Sequence, residues 1–403
     1  MRGFGRTAVR WGAAAVASAA VLAGVAGAQH AGATGASVTA EAKGTDTLRA
    51  DVAAVRKAGG GKVKVLAETS GGGGAARARA GAGAKVPWEA RFRAASTTKT
   101  FTAVVALQLA AEKKLSLDDT VEKWLPGVVE GHGNDGSRIT LRDLLRQTSG
   151  LFDYMKDPEV AEGLKDFEAH RYDTAPARDY VALAMRHEPV FVPRQGKTRW
   201  AYSNTNYLLL QMVVEKAGGG LPWREQVEHR VVAPLGLRQT SVGGANPFLP
   251  GPHARVTLPG PGGPGGKALD VTEHSLQHTA DSGVISSTRD LDTFFRALMT
   301  GKLLPQAQLD EMRRTVPRTD DPDDLAAWPR GGYGLGIRET PLSCGGRYWH
   351  HEGDGFGSYT RTGVTADGRR AVTVSVTSDG GVPDQVRLNK ATRALVDHAL
   401  CGK

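Results

Sequence analysis

Cysteine is scarce in this chain: among 403 residues there are two, Cys344 and Cys401, and neither has a histidine cluster beside it. That excludes a structural zinc site, which needs four closely spaced Cys or His ligands. Beyond residue 28 no apolar run approaches the roughly 20 residues that a membrane-spanning helix needs. Aromatic residues make up 6%. The lysines and arginines are scattered rather than gathered on a basic helix with interleaved aromatics, so nucleic acid is not an expected partner. No internal repeat is visible.

What is present is an ordinary globular composition, 40% hydrophobic and 23% charged, with 52 glycines. The length allows one large core or two ordinary ones. Residues 1–28 read as a secretory signal: Arg2, Arg6 and Arg10 precede an Ala/Val-rich run from Gly12 to Val25. Ala26-Gly27-Ala28 then places small residues before a cleavage point at Gln29. The run is short and alanine-rich for a stable membrane anchor, so the expectation is a protein released outside the cytoplasm. Losing those three arginines and no acid lowers the formal charge from +9 to +6, a weak attraction towards an anionic wall polymer such as peptidoglycan. In an exported chain the cysteine pair reads as a disulfide that closes the C-terminal tail onto a strand 57 residues earlier.

Glycine and alanine dominate residues 29–84, where Val63, Val65 and Leu66 mark a strand; the region is expected to be a loose strand pair with flexible loops. From Thr98 to Lys113 the pattern is helical, with Phe101, Val104, Val105, Leu107 and Leu109 apolar. Helical patterns recur at Leu141–Leu145, Tyr180–Met185 and Asn206–Ala217, and a Gly/Pro-rich loop runs from Pro259 to Gly266. Arg347–His351, Tyr359–Thr365 and Arg370–Ser378 read as strands, the last two joined through Asp367-Gly368, a hairpin signal. A final amphipathic helix follows Pro383, carrying Val386, Leu395, Val396 and Leu400. The expected organisation is a signal (1–28), a first part of a sheet region with one helix (29–114), a mostly helical region (115–270) and the rest of the sheet region (271–403).

Three short motifs carry chemistry. Ser96-Thr97-Thr98-Lys99 opens a helix, so the Lys99 ammonium reaches the Ser96 hydroxyl one turn away. Free N–H groups there favour a developing oxyanion, and a serine nucleophile needs such a neighbouring base. Tyr202-Ser203-Asn204 lies on an extended piece before a helix, where residues two apart face one cavity. A tyrosine can relay a proton and an asparagine amide can orient a carbonyl. His350-His351-Glu352-Gly353 opens the C-terminal hairpin, and its glycine lets a ligand approach the strand edge. No third ligand stands at metal-binding spacing from the histidines, and no metal or organic cofactor is expected.

The order Ser-x-x-Lys, Tyr-Ser-Asn, His-x-Gly resembles the penicillin-recognising serine hydrolases, above all soluble D-alanyl-D-alanine carboxypeptidases and class C β-lactamases. Leu144-Leu145-Arg146-Gln147-Thr148-Ser149-Gly150-Leu151, the stretch Gly283 to Leu291 and Gly332-Tyr333-Gly334-Leu335-Gly336 fit the same resemblance, which runs from about Phe92 to the C-terminus. It implies an α+β fold: a mixed, largely antiparallel sheet flanked by helices, a mostly helical second region, and the site between them. It also implies that Ser96 is acylated, that Lys99 and Tyr202 shuttle its proton (either could be the base), and that the N–H groups of Ser96 and Asp354 hold the oxyanion. Asn204 would orient the substrate amide, His351 would stand at a position often Lys or His, and Arg338 would take a terminal carboxylate. The implied substrate is a small peptide, ester or β-lactam.

The third motif departs from the family pattern. Glu352 and Asp354 replace two hydroxyl residues that would bind a carboxylate. Two like charges at 4 Å cost about 1–4 kcal/mol at a protein surface, enough to disfavour a substrate ending in free D-alanine or a β-lactam unless Arg338 and His351 neutralise one acid or Glu352 points away from the cavity. The sequence therefore admits, beside a carboxypeptidase, an esterase, a D-amino-acid amidase or aminopeptidase, a β-lactamase, or a non-catalytic wall- or β-lactam-binding module on the same fold.

Overall fold

The computed structural model describes residues 34–72, 74–81, 86–193, 198–260, 267–318 and 331–402. The expected signal at 1–28 lies outside the described residues. Where a loose strand pair is expected over 29–84, the first half is a helix, α1 (Thr34–Ala58). Its reason is legible afterwards: Leu48, Val52 and Val55 recur four and three residues apart and are buried on one stripe. Positive φ at Gly60 (68°) and Gly61 (75°) then turns the chain back. The second half is a hairpin, β1 (Val63–Gly71) and β2 (Ala76–Ala80).

The nine-stranded sheet is completed by β3 (Val316–Pro317), β4 (Gly332–Tyr333), β5 (Arg338–Pro341), β6 (Arg347–His350), β7 (Gly353–Asp354), β8 (Ser358–Thr365) and β9 (Arg370–Ser378). Its order is β3-β4-β5-β6-β8-β9-β1-β2, with β7 on β8, and every pairing is antiparallel. Chain start meets chain end where β1 pairs β9 from Val63↔Ser378 to Gly71↔Arg370. Along β9 the residues alternate: Val372, Val374 and Val376 pack against α1 and the C-terminal helix, while Thr373, Ser375 and Thr377 point to the opposite face.

Three further helices set the site: α2 (Thr98–Ala111), α3 (Thr205–Ala217) and α4 (Thr288–Met299); the C-terminal helix α5 is Gln385–Cys401. All residues of α2 from Thr98 to Leu107 are buried, because its apolar residues occur on every side rather than on one stripe. It packs on α3, and Phe101 stacks on Phe294 of α4 at 3.8 Å between ring centres. Short helices at Leu141–Arg146, Ala177–Ala184 and Trp223–Val227 lie on the same side, in the core that contains α2 and α3. Within α5, Leu395, Val396 and Leu400 are buried as the pattern predicts, but Val386 is 66% exposed because it lies on the side of the helix opposite Leu395. No described helix is long and apolar enough to cross a membrane.

Cys344 and Cys401 form a disulfide with Cα atoms 5.8 Å apart, fastening the end of α5 to the loop before β6. Closing a loop of this length removes unfolded-state entropy worth about 2–4 kcal/mol. Cys401→Ser is therefore expected to lower unfolding free energy by that order, measured by urea titration without reductant. The parent in dithiothreitol should lose the same amount.

Candidate active site

Ser96 sits in a tight turn, Ala95–Thr97, that runs into α2. Ala95, a residue with a Cβ, is held at φ 46°, a conformation that costs on the order of 1–3 kcal/mol and persists only where surroundings enforce it. The enforcement comes from the strand Val284–Ser286: Ala94 N–H donates to the Val284 carbonyl at 2.9 Å, and Thr98 Oγ1 accepts from Val284 N–H at 3.0 Å. This is the physical role of the Gly283–Leu291 motif.

Lys99 Nζ lies 3.1 Å from Ser96 Oγ, 2.7 Å from Asn204 Oδ1 and 3.0 Å from the Asp281 carbonyl oxygen. Burial lowers the Lys99 ammonium to about 8, against the pull of Asp281 and Asp153. The Tyr202 ring is 4.9 Å from Lys99 Nζ. Its phenol is pushed well above the usual tyrosine range by burial and by Tyr333, with a hydrogen bond to Ser96 opposing. Asn204 is already helical (φ −66°, ψ −29°) rather than extended, so the two-apart rule does not bring it to Tyr202; the turn into α3 does. Its amide is held by Asp153, which accepts from Nδ2 at 3.0 and 3.2 Å.

The Leu144–Leu151 motif builds the cradle beneath this segment. Gln147, at φ 65° after the helix Leu141–Arg146, accepts from Ser203 N–H at 3.0 Å and from Asn206 Nδ2 at 2.5 Å. Gly336 carries close approach to α2: its carbonyl accepts from Thr100 Oγ1 at 2.8 Å, and an added Cβ would lie 2.5 Å from Ala103 Cβ.

The third motif closes the site. A Cβ on Gly353 would lie 2.0 Å from the Ala94 carbonyl oxygen, so glycine alone lets β7 lie against the nucleophile turn. Gly355 N–H donates to Ser358 O, which makes Gly353/Thr360 the next hydrogen-bonded pair and leaves Asp354/Tyr359 the non-bonded one. The Asp354 N–H therefore points off the ladder, towards the edge of β7 that carries no strand. By the same alternation Gly353 and Gly355 face the nucleophile side, and the Asp354 side chain turns to the other face with Tyr359 and Arg361. There its carboxylate meets Arg361 Nη1 at 2.5 Å; Arg361, 2% exposed, also donates to Asn389 of α5 at 2.6 Å.

Glu352 goes elsewhere. Its Oε1 is 2.7 Å from Arg338 Nε, and the Arg338 guanidinium is surrounded by the rings of Tyr333, Trp200 and Tyr202 at 5.1, 5.6 and 5.8 Å. The like-charge pair expected from the sequence is thus resolved into two separate ion pairs. His351 is buried, with Nε2 3.0 Å from the Tyr333 hydroxyl and Nδ1 2.7 Å from the Glu352 carbonyl oxygen; these contacts hold the wall. Ser96, Lys99, Tyr202, Asn204, Gly353 and the Asp354 N–H come together. Arg338 and His351 stand behind them. Among the described residues no group of three or more His, Cys, Asp or Glu could hold a metal.

A beta-lactamase family model matches residues 46–397. The chain belongs to the beta-lactamase family. With Ser96 and Lys99 in contact at the head of α2, it is a serine hydrolase of the beta-lactamase and penicillin-binding-protein fold. A D-stereospecific amidohydrolase from Streptomyces sp. superposes with a TM-score of 0.75 at 38% identity, over 87% of this chain and 99% of that one. A D-amino acid amidase from Ochrobactrum anthropi SV3 gives a TM-score of 0.72 at 22% identity, a likeness of fold alone. Penicillin-binding protein 4* of Bacillus subtilis is 33% identical over 154 residues, 38% of this chain and 30% of that protein. Protein flp of Staphylococcus aureus is 25% identical over 207 residues and 38% of its length. The chain thus spans about a third of these two curated relatives.

Sequence reasoning missed Asp153, the Asp281 carbonyl and Arg361. Neither Asp153 nor Asp281 stands at a fixed spacing from its partner. Arg361 did leave a signal, a lone charge inside a strand otherwise of Ser, Thr, Tyr, Gly and Val. Gly353→Ala must push β7 from the nucleophile turn; a shift near 1 Å is worth about 100-fold. A loss of that size in kcat/KM on any turned-over substrate, with Tm close to the parent's, is the expected result.

Proposed function

We propose that this protein hydrolyses the amide bond of D-amino-acid amides or short D-configured peptides whose leaving group carries no carboxylate, through an acyl-enzyme on Ser96. The observation that carries this reading is the Arg338–Glu352 ion pair: the guanidinium expected to take a substrate's terminal carboxylate already holds one at 2.7 Å. The near full-length likeness, at 38% identity, to a D-stereospecific amidohydrolase supports it.

Lys99 is the base. Its three contacts suit a neutral amine: two N–H groups donate to Asn204 Oδ1 and Asp281 O, and the lone pair accepts the Ser96 proton. Tyr202, kept protonated by burial, is the proton donor to the leaving nitrogen. Ser96 Oγ attacks the carbonyl, and the N–H groups of Ser96 and Asp354 take the oxyanion. The C–N bond then breaks as the amine leaves with a proton. The Lys99 ammonium then returns a proton to the Tyr202 phenolate, the neutral amine takes one from water as it attacks the ester carbonyl, and collapse to the acid sends that proton back to Ser96 Oγ.

A second reading, a D-alanyl-D-alanine carboxypeptidase acting on wall peptides, is favoured by the match to penicillin-binding protein 4*. It requires a substrate carboxylate to displace Glu352 from Arg338. Export by the 1–28 signal is part of both proposals, supported by the charge and apolar pattern of that segment and by the disulfide.

D-Phenylalanine amide should be turned over with kcat/KM at least tenfold above a peptide ending in D-Ala-D-Ala, and Ser96→Ala should abolish both; the reverse preference would establish the carboxypeptidase. No turnover of amides, esters or peptides would favour the binding module. Because the reactive form is neutral Lys99, kcat/KM should fall about tenfold per pH unit below about 8 and level off above it. A profile flat from pH 6 to 9 would remove Lys99 as the base.

A further inference from the structure

The geometry points to Gln277 as the residue that reads the free amino group of the substrate's acyl residue, an inference that rests on the amide-hydrolase reading above. Gln277 is 7% exposed, and its Oε1 is buried without a hydrogen-bond partner. Among the described residues its amide makes no hydrogen bond at all. Buried amides are almost always paired, because losing water without a replacement partner is costly, so an unpaired one needs an explanation. Structure elsewhere does not supply it: the neighbouring His278 ring is fixed by the carbonyls of Ser275 and Ala175 at 2.8 and 3.0 Å, so this segment is otherwise well tied down.

The location supplies the explanation. A Cβ on Gly355 would lie 3.0 Å from both Nε2 and Oε1 of Gln277, so the amide rests against the Cα of the residue that follows Asp354. Strand alternation puts Gly355 on the same face as Gly353, the face against the nucleophile turn. The other end of the Gln277 segment reaches Asp281, whose carbonyl holds Lys99. Gln277 therefore stands against the strand residue that follows Asp354, on the face turned to the nucleophile turn, in the segment whose Asp281 carbonyl holds Lys99.

Covalent geometry then fixes what it meets. In an α-amino acid amide the amino nitrogen is two bonds from the scissile carbonyl carbon, within about 4 Å of the carbonyl oxygen. With that oxygen on the Asp354 N–H, the amino group of an acyl residue lying along β7 falls beside Gly355. The Gln277 carbonyl oxygen accepts an N–H of that ammonium and regains the partner it lost on folding.

The test compares Gln277→Leu with the parent on D-phenylalanine amide and on 3-phenylpropanamide, the same amide without the amine. A hydrogen bond to a charged group predicts that the kcat/KM ratio of the first to the second falls about 10- to 100-fold. The fall should lie in KM, and Tm should hold or rise, because the variant removes an unpaired buried amide. Gln277→Glu should raise the preference for D-phenylalanine amide over its N-acetyl derivative. An unchanged ratio in Gln277→Leu, or a fall carried by kcat with a lowered Tm, overturns the inference while the amide-hydrolase reading stands. A parent that turns over neither amide overturns both.

Discussion

A lysine ammonium stripped of water is the constraint on which this site is built. Nothing in α2 compensates Lys99 for its burial; the compensation comes from an asparagine at the head of α3 and from a backbone carbonyl at Asp281. Burial lowers the ammonium to about 8, and two acids, Asp281 and Asp153, oppose that fall. Each of those partners needs its own support. Asp153 is placed by the chain that follows Gln147, Asn204 by the cradle that Gln147 and Ser149 form around Ser203 and Asn206, and Asp281 by the segment leading into Val284–Ser286. Much of the middle of the chain is organised around one desolvated nitrogen.

The third motif obeys a different rule, the two-residue period of a strand. Odd positions 353 and 355 are glycines because they press on the nucleophile turn and on Gln277. Position 354 sends its side chain away and offers the site only its N–H. An acid there is harmless to the chemistry so long as Arg361 receives it, and Arg361 in turn is held by Asn389. Glu352 stands just before the regular strand and reaches a separate arginine. The charge repulsion inferred from residue types alone is thus dissolved by direction: two acids two positions apart in sequence are pulled to different guanidinium groups.

Much of this was legible without coordinates. The helix from Thr98, the helix from Thr205, the hairpin through Asp367-Gly368 and the nucleophile–lysine spacing are all local patterns, and local patterns survive in a sequence. The sheet made from both ends of the chain was legible for the same reason, since strand-forming residues stand at both. The helix Thr34–Ala58 was not, because its apolar stripe is three residues set in glycine, alanine and threonine, which read as a flexible stretch. The partners of Lys99 were not legible either, nor was Arg361 as the partner of Asp354; the sequence left Arg338 open as a counter-ion for one of the two acids, without saying which. They are contacts across 105 and 182 residues for Lys99, and between Arg338 and Glu352 they depend on a strand register that no spacing encodes.

The turn that carries Ser96 is bonded through Thr97 to the carbonyl of His351, 254 residues further on. The candidate site is therefore not a module within the fold but a seam, closed only when the last third of the polypeptide has come back to the first. Without β7 in place, Ser96 would lack the Asp354 N–H proposed to share the oxyanion with its own, while Val284–Ser286 would still hold the turn at Ala95. Under the proposed chemistry, a chain without its C-terminal hairpin would keep the helix that carries Lys99 and lose half of its oxyanion site.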